Sequence, residues 1–597
     1  MSLWARAKRE VRFLRGLLRT LSRIKSVRPD SPDLVCDDLE AAVDQFGERT
    51  AVVFEGRSVT YAQLDAMANR YGNWAKGRGI KRGDTVALYM PNRIEYLAIW
   101  YGLSKVGVST ALINNQLVGP ALAHCLEICG AKHLIGDAET AAAFEAVRGQ
   151  LSRAMTEWVV GGGAPRPDRD LDQTLKGASS LRPDRATART GMTARDTALY
   201  IFTSGTTGMP KAAKVTHMRA QLYMRGFAAA TEAKADDRIY IALPLYHATG
   251  GLCAVGAALL NGGAIILKRK FSASQFWEDV IGERATMFVY IGELCRYLVN
   301  QPERPEERTH RLRLAFGNGL RPDVWERMVA RFRVPRILEF YGATEGNVSI
   351  VNFDGKLGAV GRIPAYIRKR FNVRLVKFDV EAEAPVRAAN GLCLECRVGE
   401  AGEALGEIGS EARMDYAGYL DKQASSAKVM RDVFKKGDAW FRTGDLLRQD
   451  EEGYFYFVDR IGDTYRWKGE NVSTTEVAGR LDEAPGVLEA NVYGVHAPDA
   501  DGRAGMAALV VDDGFDLAAF GKYVDETLPA YAQPVFLRLQ NQIETTGTFK
   551  HRKIDLADEG FDPAKTKAKL FVKVAGKGYA KLTPTVHAKI MAGEMRL

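Results

Sequence analysis

The sequence predicts an α/β fold, with a large N-terminal domain of helix-covered sheets and a small α+β C-terminal domain. Three observations predict it. The chain has 597 residues and a mass of 65.7 kDa, more than one hydrophobic core usually serves. From about Thr50 onward, short apolar runs alternate with amphipathic stretches, the pattern of sheets covered by helices. After Gly462 the composition resets into shorter strands and helices, which marks a compact second domain of roughly 100 residues. With 46% hydrophobic and 26% charged residues, wholesale disorder is excluded.

Residues 1–28 carry nine Lys/Arg against Glu10 and read as a basic amphipathic helix. At about 100° per residue, Leu3, Trp4, Ala7, Val11, Leu14, Leu18 and Leu21 share one face, with Leu17 and Ile24 at its edge and Arg9, Arg12, Arg15, Arg19 and Arg23 opposite. The charges interrupt any apolar run that could serve as a signal peptide, so translocation is not expected. An arginine face against a Leu/Trp face fits an interfacial helix on an anionic membrane surface. A helix docked on its own domain, or one joining a homodimer, fits the same pattern.

Strands are expected at 51–54, 85–89, 197–202, 238–243, 264–267, 286–291 and 337–341, with helices at 61–76 and 95–105. Residues 161–196 and 301–310 are rich in loop formers and read as surface loops. The uncharged run 248–267 approaches membrane length, but Asn261-Gly262-Gly263 splits it into a short helix and a strand, so it reads as buried core. Beyond Gly462, strands are expected at 490–495 and 507–511 and helices at 473–481 and 517–527. Residues 565–597, with eight Lys/Arg against Glu594, read as a basic tail. The expected organisation is therefore 1–28, 29–461, 462–564 and 565–597. The net charge of +10 lies at the two ends and the body between is mildly acidic, which argues against a nucleic-acid groove. Seven cysteines make no disulfide framework in so long a chain and suit a reducing cytoplasm. Cys393 and Cys396 have no second pair or nearby histidines, so zinc is not expected.

The most informative segment reads Thr203-Ser204-Gly205-Thr206-Thr207-Gly208-Met209-Pro210-Lys211. Its glycines let backbone amides approach a ligand, its hydroxyls add donors, and Lys211 adds positive charge, an inventory that suits a polyphosphate. It is not a Walker loop, because no Gly-Lys-Ser/Thr closes it. Taken alone, a plain Gly/Thr-rich loop is an equal reading.

Other motifs remove that ambiguity. Tyr341-Gly342-Ala343-Thr344-Glu345-Gly346-Asn347, Phe441-Arg442-Thr443-Gly444-Asp445, Asp459-Arg460 with Trp467-Lys468-Gly469-Glu470-Asn471, and Thr546-Gly547-Thr548-Phe549-Lys550 follow in order. Together they resemble the adenylate-forming superfamily of acyl-CoA synthetases, luciferases and nonribosomal-peptide adenylation domains, over about residues 35–563. Within it, Tyr290–Tyr297, Trp467–Ser473 and Glu559-Gly560-Phe561-Asp562-Pro563 resemble the fatty acid transport protein and very-long-chain acyl-CoA synthetase branch.

That resemblance implies ATP, Mg²⁺ and coenzyme A, with a long- or very-long-chain fatty acid as acyl substrate. It implies that Thr203 through Gly208 and Lys211 cradle phosphates, that Thr344 contacts a phosphate oxygen and that Glu345 holds Mg²⁺. Asp445 and Arg460 would bind ribose, and the adenine would lie near Tyr341 and Gly317-Asn318-Gly319. Lys550 would reach the α-phosphate and carboxylate in the first half-reaction. In the second, the small domain would rotate about Gly462 and present the loop at Gly469. Many relatives carry Asp or Lys at the pivot, so Gly462 departs from the broad pattern. His247, in Leu243-Pro244-Leu245-Tyr246-His247, would gate the acyl tunnel or serve as a structural histidine. Tyr290, Ile291 and Gly292 would line the tunnel wall or belong to plain core. The expected activity is ATP-dependent formation of a fatty acyl thioester on coenzyme A, by a cytoplasmic protein peripheral on the inner face of the membrane. The alternatives are an acyl-AMP ligase that loads a carrier protein and an uptake protein that acts by coupled acyl activation.

Overall fold

Continuous apolar runs, rather than alternating ones, fill the strands of the first half of the chain, the signature of parallel strands buried on both faces. Ser109–Leu112 and Ala264–Leu267 are buried at every position. The structure is a computed structural model that describes all residues except 1–2, 165, 204–208, 468–469, 499–501, 544–552, 575 and 596–597. It divides into two units, residues 1–363 with 406–430 and residues 364–405 with 431–597.

The first unit contains two sheets. One has eight strands in the order Ser349–Val351, Ile337–Gly342, Leu314–Asn318, Met287–Ile291, Arg238–Ile241, Ala264–Leu267, Thr50–Phe54 and Arg57–Thr60. Its interior pairs are parallel, and only the outermost strand at each end runs antiparallel. The other has six strands, Thr156–Val160, His133–Asp137, Thr85–Tyr89, Ser109–Leu112, Thr197–Thr203 and Lys211–Thr216, and ends in an antiparallel hairpin formed by the last two.

The run 248–267 is core, as expected. It folds as a single π-helical turn, Thr249–Ala254, then the helix Val255–Leu259 and the strand Ala264–Leu267. Among the described residues no helix is long and apolar enough to cross a membrane. The segment 161–196 is more than a surface loop. It holds the short helices Leu171–Leu175 and Arg185–Ala188, Arg182 pairs with Asp44 at 2.7 Å and Asp65 at 2.9 Å, and buried Arg189 reaches Asp37 and Glu40. Lys105 is fully buried and compensated by Asp65 at 2.5 Å and Glu40 at 3.2 Å. Leu3–Ile24 is one helix. It buries Phe13 and Leu17 rather than the Trp4/Val11/Leu18 face.

In the second unit, Ala439–Gln449 and Tyr454–Arg460 pair antiparallel. Arg442 grips the buried Glu403 through Nε at 3.0 Å and Nη2 at 2.7 Å. A five-stranded sheet runs Val487–Val495, Ala504–Val511, Phe536–Leu539, Lys569–Val574 and Gly578–Lys581, with only its second and third strands parallel. Two expectations need revision. Residues 364–405 and 431–461, read from sequence as part of a 29–461 domain, belong to this unit, where Glu381 pairs with Arg466 at 2.7 Å. Residues 565–597 are not a loose tail, because Leu570 and Val572 alternate inward while lysines face out, which makes 569–574 a core strand.

Phe561 seals this unit. Its ring stacks on Phe536 at 4.0 Å and 4° between planes and meets His587 of the C-terminal helix Pro584–Met591 at 5.4 Å. Phe561→Ala is expected to destabilise the second unit by about 3–5 kcal/mol, read as an earlier urea transition with circular dichroism.

Candidate functional site

Met287–Ile291, Leu314–Asn318 and Ile337–Gly342 are consecutive parallel neighbours, so their C-terminal ends lie side by side. Ligands in α/β sheets bind outside such ends. The ends carry Tyr290-Ile291-Gly292, Gly317-Asn318-Gly319 and the segment Tyr341–Glu345, three groups singled out from sequence. Register places Tyr290 opposite Gly317 and Ile291 opposite Asn318. The approach leaves no room for side chains: a Cβ on Gly317 would overlap the Tyr290 carbonyl, and one on Gly292 the Gly319 carbonyl.

A carboxylate that the sequence reading missed ties these ends together. Glu339, two residues before Tyr341, is buried. The Tyr290 hydroxyl donates to its Oε2 at 2.5 Å, and the Leu320 amide donates to Oε1 at 3.0 Å. Burial pushes the carboxyl up to about 8. No local pattern announces Glu339, since a single Glu in an apolar strand reads as an edge position.

A second cluster surrounds Glu345. The Tyr419 hydroxyl donates to Glu345 Oε1 at 2.9 Å, the Lys211 ammonium lies 6.0 Å from the Tyr419 ring centre, and Thr203 stands beside the same hydroxyl. The structure thus gathers Thr203, Lys211 and Glu345 on one tyrosine. Burial and the Glu345 charge raise the phenols of Tyr419 and Tyr416, the latter to about 12. The loop 341–347 is held from behind: Tyr223 donates to Ala343 O at 3.0 Å, Asn347 to Glu407 O at 2.8 Å and Met414 O at 2.9 Å, and Arg219 to Gly346 O and Asp415 O. Tyr416 and Tyr419 were also missed, since Tyr416-Ala417-Gly418-Tyr419 has no spacing that sets it apart.

His247 follows a strand end pinned by Asn92, whose side-chain amide bonds Leu243 O at 3.0 Å and the Leu245 amide at 2.9 Å. Its ring meets Tyr246 at 4.4 Å, and the π-turn beginning at Thr249 follows directly. Such turns are frequent at functional sites.

In the second unit Asp445 and Arg460 stand opposite each other in register, with Arg460 Nε 3.8 Å from Asp445 Oδ1. Buried Asp459 fixes the next turn by accepting from the Thr474 amide at 2.5 Å and the Thr474 hydroxyl at 2.9 Å. Gly462 has φ +94° and open space around it, so its backbone conformation, not crowding, calls for glycine. Lys553 pairs with Asp463 at 3.2 Å. Ser204, Gly205, Thr206, Thr207, Gly208, Gly469 and Lys550 lie outside the described residues.

The raised Glu339 carboxyl makes stability depend on pH. Between 4.5, its ordinary value, and about 8, the folded chain keeps a proton that the unfolded chain has lost, so stability falls as pH rises through that window. The slope from this one group is at most about 1.4 kcal/mol per pH unit. Glu339→Gln is expected to flatten the slope, measured by urea denaturation at several pH values across the window; an unchanged slope would remove Glu339 as its source.

Comparison with known proteins accords with this geometry. The sequence pattern of the AMP-binding enzyme family matches residues 39–391, and that of the AMP-binding enzyme C-terminal domain matches residues 476–550. Human long-chain fatty acid transport protein 1 is 43% identical over 566 residues, covering 94% of this chain and 87% of the relative. Mouse long-chain fatty acid transport protein 6 is 40% identical over 551 residues, covering 92% and 88%. Among solved structures, the anthranilate CoA ligase AuaEII in complex with anthranoyl-AMP superposes with a TM-score of 0.73 at 22% identity, covering 88% of this chain and 97% of that one. The Mycobacterium tuberculosis fatty acyl CoA synthetase gives 0.62 at 24% identity, covering 88% and 98%. These two share the fold. By its sequence matches the chain belongs to the AMP-binding, adenylate-forming enzyme family, in its long-chain fatty acid transport protein and very-long-chain acyl-CoA synthetase branch.

Proposed function

We propose that the protein is an ATP-dependent ligase that joins a long- or very-long-chain fatty acid to coenzyme A through an acyl-adenylate, with release of AMP and pyrophosphate. The observation that carries this reading is the convergence of Thr203, Lys211 and Glu345 on Tyr419, in a chain of this family. In the first half-reaction a carboxylate oxygen attacks the α-phosphorus and pyrophosphate leaves. Two anions meet and negative charge gathers, so preorganised positive charge is the main remedy.

Each of this chain's residues has a part in that reading. Lys211 and the hydroxyls of Thr203, Ser204, Thr206 and Thr207 hold phosphate oxygens, with the amides of Gly205 and Gly208. Thr344 adds a donor. Glu345 offers one hard carboxylate, held by Tyr419, and one carboxylate plus phosphate oxygens is how Mg²⁺ is commonly bound. When bound, Mg²⁺ offsets phosphate charge. Tyr341 and Gly317-Asn318-Gly319 flank the adenine, and Asp445 with Arg460 takes the ribose hydroxyls. Lys550 adds charge at the α-phosphate and the acyl carboxylate. In the second half-reaction the thiolate of coenzyme A displaces AMP, with Gly462 as pivot and Gly469 beside the pantetheine arm. His247, Tyr290, Ile291 and Gly292 bound the acyl path. Relatives are named fatty acid transport proteins; trapping the acid as its thioester gives uptake without a channel. A cytoplasmic position on the inner face of the membrane is in keeping with the cysteine usage, seven in 597 residues with six of them buried.

Pyrophosphate release across a series of fatty acid lengths, with and without coenzyme A, tests the reading; turnover that needs a carrier protein instead of free coenzyme A would overturn it. Glu345→Gln is expected to raise the Mg²⁺ requirement for adenylation. Tyr419→Phe, which removes a hydrogen bond to a charged group, is expected to raise it about tenfold. Titration of pyrophosphate exchange with Mg²⁺ checks both. Lys550→Ala is expected to lose roughly a hundredfold to a thousandfold in acyl-adenylate formation, yet to convert supplied acyl-adenylate and coenzyme A at the normal rate, as measured in separate half-reaction assays.

A further inference from the structure

The N-terminal helix Leu3–Ile24 is held against the first unit by one side and turns an apolar stripe outward from the other. On the held side Phe13, Gly16 and Leu17 are buried. Phe13 meets Phe353 edge-on at 6.2 Å, and a Cβ on Gly16 would overlap the same ring. Polar contacts fix the helix at both ends: Glu10 pairs with Arg362 at 2.9 Å, and Arg19 donates to Ala229 O at 2.7 Å and pairs with Glu232 at 3.0 Å. The docked-helix reading of the sequence therefore holds, but it does not use the apolar face. Trp4, Val11, Leu18 and Leu21 stay exposed, Trp4 at 73% and Leu18 at 63%. Steps of seven residues from Trp4 to Val11 to Leu18 keep these side chains on one line of the helix.

A groove of about 520 Å³ runs beside that line, with Trp4, Lys8, Val11, Arg12, Arg15 and Glu232 among its walls. Arg12 and Arg15, expected opposite the apolar residues, therefore flank them instead: at about 100° per residue Arg15 stands only about 20° round the helix from Trp4. The Lys8 ammonium lies 5.2 Å from the Trp4 ring centre. Arg12 and Arg15 make no ion pair among the described residues. Tryptophan beside unpaired cations, on a fixed helix with leucines in the same stripe, is the side-chain set that meets a lipid interface.

We propose that this outer face docks the protein on a bilayer containing anionic phospholipid, with Trp4, Val11, Leu18 and Leu21 entering the acyl boundary and Lys8, Arg12 and Arg15 meeting lipid phosphates. Charge decides against the other occupants. The helix carries seven Lys/Arg and one Glu, so two copies placed face to face repel, whereas an anionic surface attracts. A free phosphate ion would satisfy the arginines and leave the apolar stripe in water. Because the face is preformed and held by Phe13 and Gly16, docking orders no new segment. Exposure and charge define the surface whatever the chemistry of the rest of the chain. It rests on the ligase reading only for its purpose, access to an acid that resides in the bilayer.

The test is co-sedimentation of the full-length protein with phosphatidylcholine vesicles, with and without phosphatidylglycerol, at low and high salt. Binding is expected only with phosphatidylglycerol and is expected to fall at high salt. The double variant Val11→Glu, Leu18→Glu is expected to abolish it, and Arg12→Gln with Arg15→Gln to weaken it by roughly fivefold per charge, with melting temperatures unchanged. Trp4→Ser serves as a milder variant should the double substitution melt early. Equal binding to neutral vesicles, or binding unaltered in the Glu variant, would overturn the proposal. So would a dimer in sedimentation velocity that Leu18→Glu splits, without vesicle binding. Turnover of a long-chain acid supplied in detergent micelles, without vesicles, is read in parallel: its absence in the wild type with vesicle binding intact would overturn the ligase reading and leave the docking surface standing.

Discussion

Three parallel strands ending at one level, two of them too close for side chains, are the constraint on which the candidate site depends. The Tyr290 carbonyl occupies the space of a Gly317 side chain, and the Gly319 carbonyl that of a Gly292 side chain. Backbones so close cannot be spaced by packing, and Glu339 supplies the polar tie that packing does not. A buried charge there would cost several kcal/mol. A carboxyl that keeps its proton avoids that cost, and hydrogen bonding to Tyr290 and Leu320 satisfies both oxygens. The next six residues of the chain, 340–345, begin from a point that cannot shift.

Much of the fold was legible in the sequence because parallel strands, buried on both faces, write themselves as uninterrupted apolar runs. The strands at 85–89, 264–267 and 286–291 lie within a residue of where they were expected. Leu314–Asn318 escaped because glycine and asparagine at its end dilute the run, and those are the residues the close approach requires. At the site, Thr203, Lys211 and Glu345 were legible through motif order. Glu339, Tyr416 and Tyr419 were not, since their importance lies in partners 49 to 74 positions away, a separation that no local window spans. The apolar stripe of the N-terminal helix was read correctly as a stripe. Which side the fold would bury turned on Phe13 and Gly16, because one glycine lets the helix come near enough for the aromatic contact.

Several connections between elements are fixed by arginine. Arg219 holds residues 346 and 415, Arg331 reaches Glu307 and the carbonyls of Val299 and Gln301, and Arg313 spans Asp237 and the carbonyls of Thr231 and Glu232. A planar fork of five donors can bind several acceptors at once, as a lysine ammonium cannot. A chain with 83 Lys/Arg is therefore not thereby a polyanion binder. Many of its cations are consumed internally, while others, Arg12 and Arg15 among them, stay outward.

Connectivity adds a constraint of its own. The chain leaves the first unit after residue 363 and returns to it only at 406–430, the segment that carries Tyr416 and Tyr419. During synthesis Glu345 therefore emerges well before the hydroxyl that orients it, and the first unit cannot complete its interior until part of the second has been made. A fragment cut at residue 363 would keep Glu339 and its strand ends but lose the ring beside Thr203 and Lys211. The shortest unbroken piece with the whole Glu345 cluster also contains residues 364–405. The two units are thus sewn together by chain order, and dissection of this protein into separately expressed halves calls for a permuted or complemented chain rather than one clean cut.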